Sequence, residues 1–417
     1  MKFEDLKLSK EILSSIKRLG FDSPTQIQET SIPYILEGKD VIGESATGSG
    51  KTLAFGAGVI EKVVSGRGLQ ALILTPTREL AEQVRQSLMK ISFNKKLSII
   101  AIYGGVAIDP QIKSLMKSEV VVATPGRFLD HLDRKTINTS RINLLVLDEA
   151  DRMFDMGFID DIEKIIQTCP KNRQTLFFSA TISPRVKKLA GRYMINPIDV
   201  SAKKHVDPSK LKQSYYDLPK NMKLSLLVHL LKNKKPGLAM IFCNTRRNTD
   251  FISKNLKKNG IKAIEIHGGL TQNKRTRTIE LFNEGKVDVL VCTDVAARGL
   301  HIDNVSHIIN YEIPHDPNDY VHRIGRTARA GEYGEVINII SGGQDYDEFS
   351  NILSTYRDFK IKKMDKPYLE RVFPVKVEEE SGGRGFRRSP SNKFRRDPEH
   401  RGRFPERPKK RNFRSRQ

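Results

Sequence analysis

Short runs of aliphatic and β-branched residues recur along the chain, and a polar cluster follows each of them. Residues 71–75, 120–123, 144–147 and 175–178 are such runs. They are continuous rather than alternating, the pattern of strands buried on both faces of a parallel sheet covered by helices. Between residues 203 and 212 the pattern lapses into a polar stretch containing Pro208, which reads as a linker. A second series follows at residues 238–243, 263–266, 287–292, 307–310 and 336–340. Near the start, Ile12, Leu13 and Ile16 have helical spacing, with Ser9 as a candidate cap and Gly20 as a stop. The expected fold is α/β, with two tandem parallel-sheet domains over residues 1–202 and 213–363 and an extension over 364–417.

In open parallel sheets, ligands collect at the carboxyl ends of strands, which is where the polar clusters stand. The pair Val41-Ile42 leads into Ser45-Ala46-Thr47-Gly48-Ser49-Gly50-Lys51-Thr52, and Phe55, Val59 and Val63 lead out with helical spacing. Strand, glycine-rich turn and helix form the context of a phosphate-binding loop. Gly48 and Gly50 let the backbone curl its N–H groups inward, and the following helix adds its positive dipole end. Lys51 supplies a charge for the outer phosphates, and the Thr52 hydroxyl can ligate Mg²⁺. Ser45 stands where such loops usually begin with glycine.

Asp148-Glu149 after four aliphatic residues suits a metal-holding carboxylate followed by one that polarises an attacking water. Upstream, the Phe21 ring can stack on a flat base, and the Gln28 amide offers the donor and acceptor that an adenine edge requires. The second series has no phosphate loop, so it is expected to complete the first domain's site from across a cleft. Arg326 and Arg329 are three apart and share a face if helical; they suit a γ-phosphate.

Charge widens the picture. The chain has 72 Lys+Arg against 49 Asp+Glu, a net of +23 over 417 residues, which favours a polyanionic partner. Residues 381–417 hold 14 basic and 3 acidic side chains, with Phe386, Phe394, Phe404 and Phe413 among the arginines. Such a tail cannot bury a core. It is expected to be disordered and to hold RNA by phosphate pairing and base stacking, or to dock a protein partner. The three cysteines show no metal spacing. The N-terminus lacks a signal-peptide pattern, and no apolar run approaches the ~18 residues of a membrane span. A cytoplasmic monomer without membrane contact is expected.

Taken together, the motifs resemble one family. Asp148-Glu149-Ala150-Asp151 spells the DEAD box, and residues 3 to about 360 are similar to a DEAD-box RNA helicase. Its Q motif matches Phe3, Phe21, Pro24, Thr25 and Gln28. The phosphate loop, residues 76–81, Gly104-Gly105, residues 124–127, Ser179-Ala180-Thr181, Ile241-Phe242 with Thr245, Gln272 with Arg275, residues 293–299 and residues 322–329 follow in the family's order. The resemblance implies two RecA-like domains that close on ATP, Mg²⁺ and single-stranded RNA. It places the nucleotide on Phe21, Gln28, Ala46, Thr47, Gly48, Ser49, Gly50, Lys51, Thr52, Gly299 and His301. It assigns catalysis to Lys51, Asp148, Glu149, Arg326 and Arg329, and coupling to Asp151, Ser179, Thr181 and His322. RNA falls to Arg78, Gly105, Thr124, Arg127, Arg246, Gln272, Arg275 and Thr293, contacting sugar and phosphate without reading bases. Two small departures are Ser45 and Ala328, the latter in place of a common glycine. His301 stands where the family carries an aspartate that contacts the ribose. The implied activity is RNA-stimulated ATP hydrolysis driving local, non-processive unwinding or remodelling; the alternative is an ATP-gated RNA clamp or annealing chaperone.

Overall fold

The computed structural model describes residues 1–45, 48–202, 211–234, 236–297, 300, 302, 305–327 and 333–375. Among these residues, fourteen strands form two seven-stranded sheets. The first holds β1 (Val41–Glu44), β2 (Ala71–Leu74), β3 (Ile99–Ile102), β4 (Val120–Ala123), β5 (Leu144–Asp148), β6 (Gln174–Ser179) and β7 (Ile198–Ser201). The second holds β8 (Leu211–Asp217), β9 (Leu238–Cys243), β10 (Ala263–Ile266), β11 (Val289–Thr293), β12 (Val305–Asn310), β13 (Gly334–Ile340) and β14 (Ile361–Lys363). Their orders are β3-β4-β2-β5-β6-β1-β7 and β10-β11-β9-β12-β13-β8-β14, and every pairing is parallel.

The continuous apolar runs became central strands because both faces are covered. Along β4, Val120 and Val122 enter one core while Val121 and Ala123 enter the core on the opposite face. The strands without such runs are mostly edges. β3, β7, β10 and β14 each pair on one side only. β8 is different: it is an inner strand that begins at Leu211, inside the stretch expected to be linker. Its Gln213 and Ser214 are buried polar residues, so no apolar run marked it. Their partners make burial affordable: Tyr320 donates its hydroxyl to Gln213 Oε1 at 2.8 Å, and Asn338 Nδ2 donates to the Ser214 carbonyl at 3.0 Å.

The N-terminal helix spans Lys10–Arg18, with Ser9 at the cap position, but the Ser9 side chain makes no cap bond. Its backbone N–H instead donates to Glu61 Oε1 at 2.7 Å. Residues 203–210 of the expected linker and residues 376–417, which include the basic tail, lie outside the described residues. No described helix is long and apolar enough to cross a membrane.

Candidate active site

The phosphate loop connects β1 to the helix Lys51–Lys62. Lys51 is buried, and its Nζ donates to the Ser45 carbonyl at 2.7 Å. The hydroxyls of Ser45 and Ser49 lie 2.8 Å apart, so the serine in place of the usual glycine closes the loop on itself. Gly50 has φ +90°, and a Cβ there would lie 2.2 Å from Gln28 Nε2. Glycine is therefore required both for the turn and for the close approach of Gln28. The Gln28 amide is used at both ends. Its oxygen accepts the Thr25 N–H at 2.9 Å, and its nitrogen donates to the Gly50 carbonyl at 3.0 Å. Thr25 donates its hydroxyl to the Ser49 carbonyl at 2.7 Å. Sequence suggested an adenine-edge reader; in this structure Gln28 braces the phosphate loop. Phe21 stands nearby in sequence with its ring half exposed. Ala46 and Thr47 lie outside the described residues.

β5 delivers the acidic quartet. Asp148 ends the strand, and Glu149 takes a left-handed backbone, φ 54°, before the helix Ala150–Asp155. That conformation is uncommon outside glycine; here it turns the chain sharply between the two carboxylates. Burial pushes the Asp148 carboxyl up to about 7, against the opposing pull of Lys51, and Glu149 adds to the rise. A buried carboxylate held so unfavourably fits a cation site. No described cluster of three or more His, Cys, Asp or Glu could hold a metal alone. Mg²⁺ takes one or two protein ligands and completes its shell with water and phosphate. Asp148 and Thr52, on the second residue of its helix, are the residues that fit it.

Glu149 carries a partner that sequence reasoning missed. Arg152 Nη1 donates to Glu149 Oε2 at 2.8 Å, with both side chains buried. Arg152 Nη2 is buried with no hydrogen-bond partner among the described residues. The signal was the i,i+3 spacing on the helix start, which a basic residue after an acidic quartet could have suggested.

Asp151 is tied to the end of β6. Its Oδ2 accepts the Thr181 N–H at 2.9 Å and the Thr181 hydroxyl at 3.0 Å, and its own N–H donates to Ser179 Oγ at 3.1 Å. The Ser179 carbonyl in turn accepts the Ser45 N–H at 2.9 Å. The phosphate loop, the acidic quartet and Ser179–Thr181 are thus one connected unit. Burial works against the Asp151 charge, yet His322 of the second half, with Arg152, holds its carboxyl below the usual range. His322 Nδ1 is 3.7 Å from Asp319 Oδ1.

The second half corrects one expectation. The helix Pro317–Ile324 ends before Arg326, so Arg326 is not on that helix's face. Gly325 follows the last turn, and Thr327 forms a parallel bridge with Val305. Arg326 is buried and donates from Nη1 to the Leu300 carbonyl. Arg329, Gly299 and His301 lie outside the described residues. Arg323 was passed over, yet it is the hub. Its guanidinium grips Asp294 through two bonds of 2.6 Å. It also reaches Asn310 Oδ1 at 3.1 Å, the Glu312 carbonyl at 2.6 Å and Asn244 Oδ1 at 2.9 Å.

The expected RNA contacts fall into two groups. Arg78 lies against the turn at Gly105, whose φ is +80°; a Cβ there would meet Arg78 Nη1 at 2.0 Å. Thr124 occupies the cap position of the helix Pro125–Asp133 without a side-chain cap bond, and Arg127 donates from Nη2 to the Val106 carbonyl at 3.0 Å while its Nη1 is buried with no hydrogen-bond partner among the described residues. In the second half, Arg246 lies beside Gly268, and Thr293 ends β11. Gln272 and Arg275 meet a carboxylate instead. Gln272 Nε2 and Arg275 Nε both donate to Glu79 Oε1, at 3.2 and 2.8 Å, and Arg275 reaches the Ala296 carbonyl at 3.4 Å. Glu79 belongs to the first half, so this ion pair bridges the two. Sequence reasoning did not single out Glu79.

Comparison with known proteins agrees with this geometry. The family model for DEAD/DEAH box helicases matches residues 25–189, and that for the helicase conserved C-terminal domain matches residues 222–331. The chain is 47% identical over 342 residues to the ATP-dependent RNA helicase CshA of Listeria monocytogenes, covering 81% of this chain and 66% of that protein. It is 45% identical over 367 residues to the DEAD-box ATP-dependent RNA helicase CshA of Bacillus subtilis, covering 87% and 73%. Among solved structures, S. cerevisiae Dbp5 bound to RNA and ADP BeF3 matches with TM-score 0.79 and 31% identity, over 87% of this chain and 95% of that one. With two like-ordered parallel sheets, a phosphate loop joined to an acidic quartet and both family models matched in order, the chain belongs to the DEAD-box family of ATP-dependent RNA helicases.

Proposed function

We infer that the protein hydrolyses ATP in an RNA-stimulated cycle and uses it to separate short RNA duplexes or remodel RNA–protein complexes locally. The observation that carries the reading is the connected unit of Lys51, Asp148, Glu149, Asp151 and Ser179–Thr181, tied together by hydrogen bonds from the phosphate loop to the end of β6.

In this reading the domains are residues 1–202 and 213–363, and Phe21 stacks on the base. Gln28 meets the base edge with the amide positions left after bracing the loop. Residues 46–52 and Lys51 cradle the phosphates; Gly299 and His301 lie towards the ribose. Mg²⁺, held by Asp148 and Thr52, neutralises phosphate charge when bound. Glu149, steered by Arg152, orients the attacking water. Arg326 and Arg329 face the γ-phosphate from the second half. Arg78, Gly105, Thr124, Arg127, Arg246, Gln272, Arg275 and Thr293 take RNA sugar and phosphate, leaving bases unread. The protein acts as a cytoplasmic monomer on single-stranded RNA or short duplexes, with the tail holding RNA or a protein partner.

Glu149→Gln tests this. It removes the water-orienting carboxylate while keeping Asp148, so turnover should fall by ~10²–10⁴-fold with ATP and RNA binding retained. A loss of ATP binding as severe as in Lys51→Ala would reject the assignment. Strand displacement compared with RNA-stimulated phosphate release then separates unwinding from a clamp.

A further inference from the structure

After β14 the chain does not leave the second half at once. Residues 364–375 run across it as a strap, held at defined points. Leu369 is buried in the core beneath β9 and β11, and Val372 packs against the same core. The Val372 N–H donates to Ser225 Oγ at 3.0 Å. Asn255 then clamps Val375 from both sides, accepting its N–H at 2.8 Å and donating to its carbonyl at 3.2 Å. Two apolar anchors and two polar side chains thus fix a segment without regular structure.

What the strap presents outward is unusual for a soluble surface. Tyr368 is 90% exposed and Phe373 is 72% exposed. Neither ring serves the core, although Leu369 and Val372 beside them do. The rings border a cleft of about 540 Å³ between the strap and the helices Lys223–Lys234 and Arg246–Lys258. The cleft also carries Lys232, Lys258 and Arg371, against one acid, Glu370. Lys232 and Lys258 are exposed and form no ion pair among the described residues. Arg371 lies over the Phe373 ring, 5.4 Å from its centroid.

We propose that this cleft is a second binding site for single-stranded RNA, separate from the motif-lined site, in which bases stack on Tyr368 and Phe373 and Lys232, Lys258 and Arg371 take the phosphates. Flat rings beside unpaired cations are the combination that holds single strands without reading sequence, because every base has a π-face and every nucleotide a charge. Charge complementarity selects this occupant over an apolar protein segment. The anchoring supplies preorganisation: with the strap held by Ser225 and Asn255, the rings need little ordering when RNA arrives. The site would hold a flanking strand of an RNA whose other part occupies the motif-lined surface. The proposal rests on the RNA-binding reading above.

The test uses the full chain and two fluorescent oligouridylates, of 10 and of 40 nucleotides. The shorter reports the motif-lined site and the longer can reach both. Tyr368→Ala with Phe373→Ala should weaken 40-mer binding about fivefold to thirtyfold and leave 10-mer affinity and saturating RNA-stimulated turnover unchanged. Lys232→Ala with Lys258→Ala should flatten the salt dependence of 40-mer binding by ~1.4 in log–log slope, two phosphates' worth on a single strand. A 40-mer carrying 4-thiouridine should crosslink to the peptide containing Tyr368 or Phe373. Because both rings are exposed, the aromatic variant should melt as wild type does. Unchanged 40-mer affinity, or crosslinks confined to the motif-lined site, overturns the proposal. So does a variant that loses only concentration-dependent self-association, which would make the cleft a contact between copies. Wild-type protein showing no RNA stimulation at all would reject the reading beneath it instead.

Discussion

The two halves of the molecule share one plan and differ in what their loops carry. Counted from each half's first strand, both sheets have the order third, fourth, second, fifth, sixth, first, seventh. After the first strand of the first half comes the phosphate loop, with glycines at positive φ and Lys51 folded inward. After the corresponding strand β8 comes Leu218-Pro219, a short 3₁₀ turn at Lys220–Met222 and the helix Lys223–Lys234. Proline and bulky side chains leave no cradle of backbone N–H groups there. The scaffold the halves share therefore does not by itself supply a phosphate cradle; the loop after the first strand is what differs.

The halves also differ inside. The centre of the first sheet is apolar, and its buried carboxylates cluster at the strand ends. The second half buries a polar chain. Gln213, Tyr320, Asn338, Asn310, Arg323 and Asp294 follow one another through hydrogen bonds. The lesson is one of placement: the first half gathers its buried carboxylates at strand ends, whereas the second half runs a buried polar chain through its sheet that holds its own loops in register.

The sharpest way to break that contrast is Arg329→Ala. If the second half reaches the γ-phosphate, RNA-stimulated phosphate release should drop ~10³-fold or more, with ATP binding to the first half retained. Near-normal release would leave the second half as an RNA platform only. Next in size is Arg323→Ala, which strands Asp294 and three acceptors in a buried site. It should lower stability by about 3–5 kcal/mol in urea unfolding, with the loss in the second half's transition. A loss below about 1 kcal/mol would mean the network is not what orders those loops. Smaller again is Glu79→Gln, which weakens the Glu79–Arg275 ion pair that joins the halves. A charge-assisted hydrogen bond contributes about 1.5–3 kcal/mol, and part of it survives in the amide. The half-stimulating RNA concentration should therefore shift by about fivefold to tenfold, in a direction that reports the role of Glu79. A rise means the bridge supports closure around RNA; a fall means Glu79 competes with RNA for Arg275. No shift would show that the bridge has no part in RNA binding.

The smallest effect concerns Glu335 on β13, opposite His307 on β12. The His307 hydrogen bond, with Lys234, holds its carboxyl down to about 2. A depressed folded-state value means the charged form is favoured by folding. Its contribution is fully present above the ordinary carboxylate range and is lost as pH falls towards 2. The group is partly solvated, so about 1 kcal/mol or less is expected. Glu335→Gln should lower stability at neutral pH and converge with wild type as pH falls; a constant gap down to pH 2 would contradict this.

Much of the molecule could be read from its residues one stretch at a time. The phosphate loop, the acidic quartet and the central strands are local facts: glycines, a lysine and an aliphatic run specify their own backbone and burial within about ten residues. Edge strands such as β3 and β7 were less legible, because a strand with one neighbour needs no continuous apolar run. β8 was illegible for a different reason. Its polar residues are buried only because Tyr320 and Asn338, more than a hundred positions away, supply partners. The same holds for the site. Sequence alone singled out Lys51, Asp148 and Glu149 as candidates for chemistry. Only the tertiary structure decided that Gln28 braces the phosphate loop across 22 positions and that Glu79 meets Arg275 across 196. It likewise decided that Arg323, rather than its neighbours, is the buried hub. A backbone preference is a property of a residue and its near neighbours. A hydrogen-bond partner is a property of where distant segments meet, and no local pattern encodes that meeting.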